Sequence, residues 1–123
     1  MHSQIVLLTK KIDPSLLSDL TAQIFNSFVK VVADVDREIL AVGGEMHADA
    51  EQLLLEDGSK QSNLWGANFY PYEPKESRLE FTSFINIRPR DGNTSMIVED
   101  EATQTKIKVM CANMLLGDDD DLA

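Results

Sequence analysis

An alternating stretch from Val29 to Asp36 places the strongest constraint on how this chain can fold. Four apolar residues recur at every second position, namely Val29, Val31, Ala33 and Val35. That period is typical of a β-strand, and it would put Asp34 and Asp36 on one face. A second apolar run, residues 38–42, follows closely and ends at a glycine pair. The sequence therefore predicts two neighbouring strands in its first half.

Further strands are predicted on both sides of this pair. Residues 3–9 are rich in Ile, Val and Leu, and residues 63–70 follow a turn. Residues 79–87 alternate between apolar and polar positions, and we expect Pro89 to end that strand because proline has no N–H for the ladder.

Two helices are predicted near the ends of the chain. Asp13-Pro14 opens the first, since aspartate caps a helix and proline fits its first turn, and its apolar stripe ends near Asn26. The last helix starts near Glu99, where acidic residues complement the helix dipole, and stops before Gly117.

The segment 46–57 fits two periods that lead to different sites. As a strand, it would project Glu45, His47, Asp49 and Glu51 from one face. As a helix, it carries one apolar stripe and ends at Gly58. We favour a short third helix because Ala, Glu, Gln and Leu are strong helix formers and β-branched residues are absent.

Size and charge exclude several classes of protein. With 123 residues, 43% of them hydrophobic, the chain suits one domain. The net charge of −10 is the opposite of what nucleic-acid or anionic-membrane binding requires, so neither partner is expected. No apolar run approaches the roughly 18 residues of a membrane span, and no cleavage site follows the N-terminus, so we expect a soluble cytoplasmic protein.

These patterns predict an α+β fold. Residues 1–117 would form a single domain in which an antiparallel or mixed sheet packs against the N-terminal and C-terminal helices. Residues 118–123, with four aspartates, would form a disordered acidic tail. The single cysteine, Cys111, cannot form an intramolecular disulfide and is expected to act as a small hydrophobe.

The first candidate site is the acidic segment around His47. Glu45, Asp49 and Glu51 flank it, and histidine with carboxylates can hold a metal ion or transfer protons. A lone histidine is weak evidence for zinc, so no metal site is predicted. A solvated acidic helix face and a hydrogen-bonded structural histidine are the alternatives.

The second candidate is the loop that follows residue 85. It carries two amides and two guanidinium groups, contributed by Asn86, Arg88, Arg90 and Asn93. Arginine matches carboxylate or phosphate geometry, and functional groups often lie on loops that leave a sheet. An internal ion pair of Arg88 with Asp34, Asp36 or a carboxylate of residues 45–51 is equally compatible with this sequence.

A third candidate is the segment Trp65-Gly66-Ala67-Asn68. A large aromatic beside a glycine can let a ligand approach the backbone, although a core tryptophan beside a bulge gives the same pattern. Phosphate-cradling loops, dinucleotide fingerprints, nucleophile elbows and cysteine clusters do not occur, so no cofactor is predicted.

Several segments resemble a family of small prokaryotic proteins catalogued only as a domain of unknown function. The matching segments are GGEMHADAE, EDGSKQ, LWGAN and INIRP, and the resemblance covers roughly residues 4 to 116. It implies a compact cytoplasmic domain and transfers no catalytic residues.

Our leading hypothesis is a small ligand-binding or regulatory module. Its site would combine the His47 segment, Trp65 and Asn68 with the loop of Asn86, Arg88, Arg90 and Asn93. Its partner would be a small anionic ligand or a second copy of the chain. The competing hypothesis is a metal-dependent hydrolase that uses His47 with nearby carboxylates, and a third is docking through the acidic tail.

Overall fold

The computed structural model describes residues 4–122, which form one five-stranded antiparallel sheet with the order β1-β3-β2-β4-β5. The strands are β1 (Ile5–Leu8), β2 (Val29–Asp34), β3 (Ile39–Gly43), β4 (Leu64–Phe69) and β5 (Leu79–Glu80). The α-helices are α1 (Pro14–Gln23), α2 (His47–Glu56) and α3 (Glu101–Met114). The predicted α+β class, with helices towards both ends of the chain, is confirmed.

Both faces of the sheet are covered. Val31 and Ala33 of β2 join the larger apolar cluster, to which α1 and α3 contribute Leu17 and Ile107. On the opposite face, Val32 packs in a smaller cluster with Ala50 and Leu54 of α2. Strand β2 therefore contributes side chains to apolar cores on both faces of the sheet. This explains why Val32, which points away from Val31 and Ala33, is also apolar.

The helices begin and end where local chemistry allows. The Asp13 carboxylate accepts the Ser15 N–H at 2.9 Å and caps α1, and Asp100 does the same for Thr103 at the start of α3. The ambiguous segment 46–57 is a helix, as favoured from its composition, and Gly58 follows it with a φ of +106°.

The strand predicted over residues 79–87 is wrong beyond Glu80. The Ser83 hydroxyl accepts the Ile85 N–H at 3.3 Å and caps a short 3₁₀ turn, Phe84–Asn86, whose first side chain is 77% exposed. Pro89 begins a second 3₁₀ turn, Pro89–Asp91, instead of ending a strand. The apolar and polar residues alternate here because some side chains of this loop face the sheet and others face solvent.

The acidic tail makes specific contacts with the domain up to Leu122. Buried Arg78 donates from Nη1 to the Gly117 carbonyl at 2.9 Å and from Nη2 to the Asp120 carbonyl. Leu122 packs against the larger apolar cluster. One arginine therefore ties the end of the chain to the start of β5.

None of the helices within residues 4–122 has the length and apolar character that crossing a membrane requires.

Candidate functional site

The free edge of β4 is the place where several predicted site residues meet. Strand β5 pairs only with the end of β4, so the Gly66 backbone needs another partner. The fully buried Asn86 amide supplies it: Oδ1 accepts the Gly66 N–H at 2.8 Å, and Nδ2 donates to the Gly66 carbonyl at 3.0 Å. Asn86 thus takes the hydrogen-bonding position of a neighbouring strand.

Gly66 is required by close packing at this edge. A Cβ atom at this position would lie 2.6 Å from Ser83 Cβ and 3.2 Å from His47 Cδ2. Any larger residue would push the loop and the start of α2 away from β4. The glycine therefore lets Ser83 and His47 pack directly against β4. The neighbouring Trp65 packs in the core on the opposite face.

His47 is a neutral, hydrogen-bonded histidine. Its Nε2 lies 2.7 Å from the Ala67 carbonyl oxygen, and because a carbonyl can only accept, Nε2 carries the proton. Burial lowers the pKa of His47 to about 4, against the opposing effect of the Ala67 hydrogen bond, and the positive charge of Lys30 lowers it further. At neutral pH the ring is uncharged and fixed against β4.

Arg88 crosses the edge of β4 and joins the two faces of the sheet. Its Nη1 donates to the Leu64 carbonyl at 2.6 Å, and its guanidinium carbon lies 4.1 Å from the centroid of the Trp65 ring. Its ion-pair partner is Asp91, with Nε 3.2 Å from the carboxylate. Burial lowers the pKa of Arg88, whereas the charges of Asp91 and Glu51 raise it. Within residues 4–122, Arg88 forms no ion pair with Asp34, Asp36 or a carboxylate of residues 45–51, so that predicted pairing is wrong.

Asn93 organises the loop that carries Arg88. Its Nδ2 donates to the carbonyls of Asn86, Ser95 and Ile97 at 2.8, 3.0 and 2.9 Å. Its Oδ1 accepts the Glu99 N–H at 2.9 Å. Backbone groups engage both ends of the amide, so the side chain fixes the loop.

The remaining candidate residues lie outside this cluster. Glu45, Asp49 and Arg90 are exposed, and Asn68 donates to the Glu80 carboxylate at 2.8 Å. The described residues contain no group of three His, Cys, Asp or Glu side chains that could hold a metal ion.

A buried aspartate outside the predicted site explains the Asp57-Gly58-Ser59 motif. Asp34 ends β2, and its Oδ2 accepts the Ser59 hydroxyl at 2.6 Å while Oδ1 accepts the Asp36 and Arg37 N–H groups. Arg37 also donates to Ser59 and to the Asp57 carboxylate, both at 2.8 Å. Asp36 is exposed in the turn, so the expected shared face of the two aspartates is wrong because β2 ends at residue 34.

A cleft between β5 and α3, which we name the Arg78 cleft, was not predicted. It encloses about 300 Å³. Its apolar lining consists of Phe69, Leu79, Phe81, Cys111, Ala112 and Leu116, and its charged lining of Lys75, Glu76, Arg78, Lys108 and Asp118. Isolated lysines and apolar core residues form no recognisable motif in the sequence. The cleft could therefore not be predicted before the fold was known.

Cys111 lies in this cleft but is not a nucleophile. It is 1% exposed, and burial raises the pKa of its thiol to about 12. The expectation that it acts as a small hydrophobe fits this environment. The Arg78 cleft therefore offers no activated thiol.

A second cleft, of about 460 Å³, lies beside Trp65 and is acidic. Asp91, Glu99 and Asp100 line it with Asn93. Glu99 accepts the Thr94 and Ser95 N–H groups, and Asp100 caps α3. Glu99 and Asp100 thus hold backbone donors in place, Asp91 pairs with Arg88, and the charge of all three would repel an anion.

Comparison with known proteins gives one informative match. Residues 6–114 match the model of a family described as a protein of unknown function (DUF5674). Neither a curated protein nor a solved structure matches the chain.

Proposed function

The chain belongs to the DUF5674 family, whose description assigns no activity, and we propose that it is a module that binds a small amphipathic anion in the Arg78 cleft. The observation that carries the proposal is the lining of this cleft, which combines an apolar floor with lysines from two different elements. An apolar pocket with a few convergent polar groups is the usual form of a small-molecule site.

The charge of the cleft differs from that of the rest of the chain. Lys75, Arg78 and Lys108 outnumber Glu76 and Asp118 in its lining, 3 − 2 = +1, but Arg78 also pairs with Asp121 at 3.8 Å, so the two lysines balance the two lining acids. The cleft is therefore close to neutral within a protein of net charge −10, and it repels an anion less than the acidic surface around it does.

The two lysines are the groups available to a ligand. Arg78 is 5% exposed, and its Nε, Nη1 and Nη2 donate to the carbonyls of Glu73, Gly117 and Asp120. It therefore fixes the wall of the cleft. Lys75 and Lys108 are exposed and make no ion pair among residues 4–122, so they can contact a carboxylate, sulfonate or phosphate head group.

The size of the cleft limits the ligand. A volume of about 300 Å³ is at the lower end of the roughly 300–1,000 Å³ that small-molecule sites occupy. A short alkyl or single-ring body would lie on Phe69, Phe81 and Leu116, with the anionic group at the lysines. Longer chains would project into solvent.

Matched ligands test the proposal. Octanoate, octanol and octylamine share an alkyl chain and differ in the head group. Thermal shifts measured at equal concentration therefore show the effect of the head-group charge on binding. Octanoate should raise the melting temperature most, since a ligand that binds only the folded state stabilises it. Equal shifts for all three would contradict the anionic part of the proposal, and no shift with any of them would contradict the site.

A charge reversal locates the binding. Lys108→Glu should weaken octanoate binding about tenfold, because the lost attraction and the new repulsion, each about 0.7 kcal/mol, add to about 1.4 kcal/mol. Lys60→Glu, an equal change at an exposed position outside the cleft, is the control and should bind as wild type does. Equal loss in both variants would show that only overall charge matters.

A further inference from the structure

A separate groove runs along the opposite side of α3 and encloses about 520 Å³. We name it the α3 groove. One wall is the helix, with Thr105, Lys106, Val109, Met110, Asn113 and Met114; the other wall is Thr9, Val35, Asp36 and Glu38 from the strand ends. Its floor is apolar, because Val35 and Met114 belong to or pack against the larger core cluster.

The outer face of α3 beside this groove carries a single charge, that of Lys106. Its exposed positions are Ala102, Thr105, Lys106, Val109 and Asn113, which recur along one side of the helix. The apolar side chain of Val109 is 52% exposed, although 26% of the residues in the chain are charged and could occupy such a surface position. A helical face with one charge and one protruding apolar side chain suits contact with protein more than contact with water.

The charged residues at the rim of the groove differ in sign between its two walls. Lys106 stands on the helical wall, and Asp36 and Glu38 stand on the wall formed by the turn between β2 and β3. Across residues 4–122, none of the three takes part in an ion pair. The surface thus presents a cation and two anions side by side, each without an opposite charge in contact.

We propose that the α3 groove binds a second copy of this chain in a twofold-symmetric dimer. In such an interface the same patch meets itself, so a protruding group must match a depression on the same surface. Val109 of each copy would enter the groove of the other, and Lys106 would face Asp36 and Glu38 of the other copy. The patch holds the protrusion, the depression and both signs of charge, which is the self-complementarity that an isologous contact requires.

Charge-reversed variants test this pairing. Wild type should sediment as a dimer at micromolar concentration. Lys106→Glu should weaken the dimer at least tenfold, because glutamate would face two acids, and the double variant Asp36→Lys/Glu38→Lys should weaken it equally. Circular dichroism confirms that each variant is folded, since all three positions are on the surface.

Mixing the two variants gives the decisive result. Glu at position 106 of one protein would face lysines of the other, and Lys106 of the second would face the native acids of the first, so the mixture should form a heterodimer. Lys108→Glu on the same helix, which lines the Arg78 cleft instead, is the control and should remain dimeric. A monomeric wild type, dimers that persist in the reversed variants, or a mixture that stays monomeric would each overturn the proposal.

Discussion

His47 shows how a residue that suggests chemistry can instead hold the fold together. It lies in a segment with several acids, yet its ring is buried against β4 and donates to the Ala67 carbonyl. Asn86 and Asn93 likewise satisfy backbone groups. The sequence indicated which polar residues were unusual. It could not indicate their partners, which are main-chain atoms about twenty positions away in the case of His47 and Asn86.

The buried histidine predicts how stability depends on pH. Its folded-state pKa of about 4 lies below the ordinary 6.5, so the unfolded chain takes up a proton at higher pH than the folded one. Its contribution to stability is fully present above pH 6.5 and is lost as the pH falls towards 4. The loss should amount to about 3 kcal/mol.

Urea unfolding at several pH values measures this effect, with His47→Gln as the reference. Glutamine can still donate to the Ala67 carbonyl but does not titrate, so the difference between the two proteins removes the contribution of the carboxylates. A difference that stays constant between pH 6.5 and 4 would contradict a neutral buried ring.

Among the elements, periodicity and composition together predicted the four longer strands and the three α-helices within a few residues, and composition alone favoured the helix at 46–57. The exception is residues 81–87, where an isolated bridge at Thr82, a serine cap and an amide that pairs with Gly66 take the place of a continuous strand. An alternating pattern indicates which side chains are buried, but it does not indicate which groups the backbone N–H and C=O bind. The edge of β4 therefore could not be predicted from local pattern.

The docking of this loop on β4 depends on Gly66. Gly66→Ala should destabilise the protein by about 1–3 kcal/mol, because the new Cβ would overlap Ser83. Adding Ser83→Gly should recover part of that loss by removing the overlapping atom. Urea unfolding of both single variants and the double variant completes a thermodynamic cycle.

Gly92→Ala is the matched control for this cycle. Gly92 has a φ of +84°, and a Cβ there meets no atom within 4 Å. Its cost, about 1–2 kcal/mol, should come from the backbone alone and should not change when Ser83→Gly is added. If the Gly66→Ala and Ser83→Gly effects are simply additive, the overlap is not the cause.

At the level of the whole molecule, acidity is distributed unevenly. Four of the aspartates are in the tail, which Arg78 and Lys11 contact through Asp120. The tail therefore has two opposing effects on stability. Its charges add repulsion within a chain of net charge −10, and its backbone satisfies the buried guanidinium of Arg78.

Truncation after Gly117 should show that the second effect is larger. The buried Nη2 of Arg78 would lose the Asp120 carbonyl, at a cost of about 1–3 kcal/mol, whereas screened surface repulsion is weaker. We expect a lower melting temperature in calorimetry. Asp118→Asn/Asp119→Asn removes charge but keeps the backbone, and it should be as stable as wild type or slightly more so. A truncated protein with unchanged stability would show that Arg78 does not depend on the tail.

The asparagine and arginine that occupy the edge of β4 also limit how the sheet can grow. Their side chains take hydrogen-bonding positions that an incoming strand would need, and β5 covers the rest with only two residues. The sheet therefore has a four-residue edge at β1 and only a two-residue edge at β5. Pairing between two β1 edges would use up the longer edge of both molecules and leave only the short β5 edges for further strand addition.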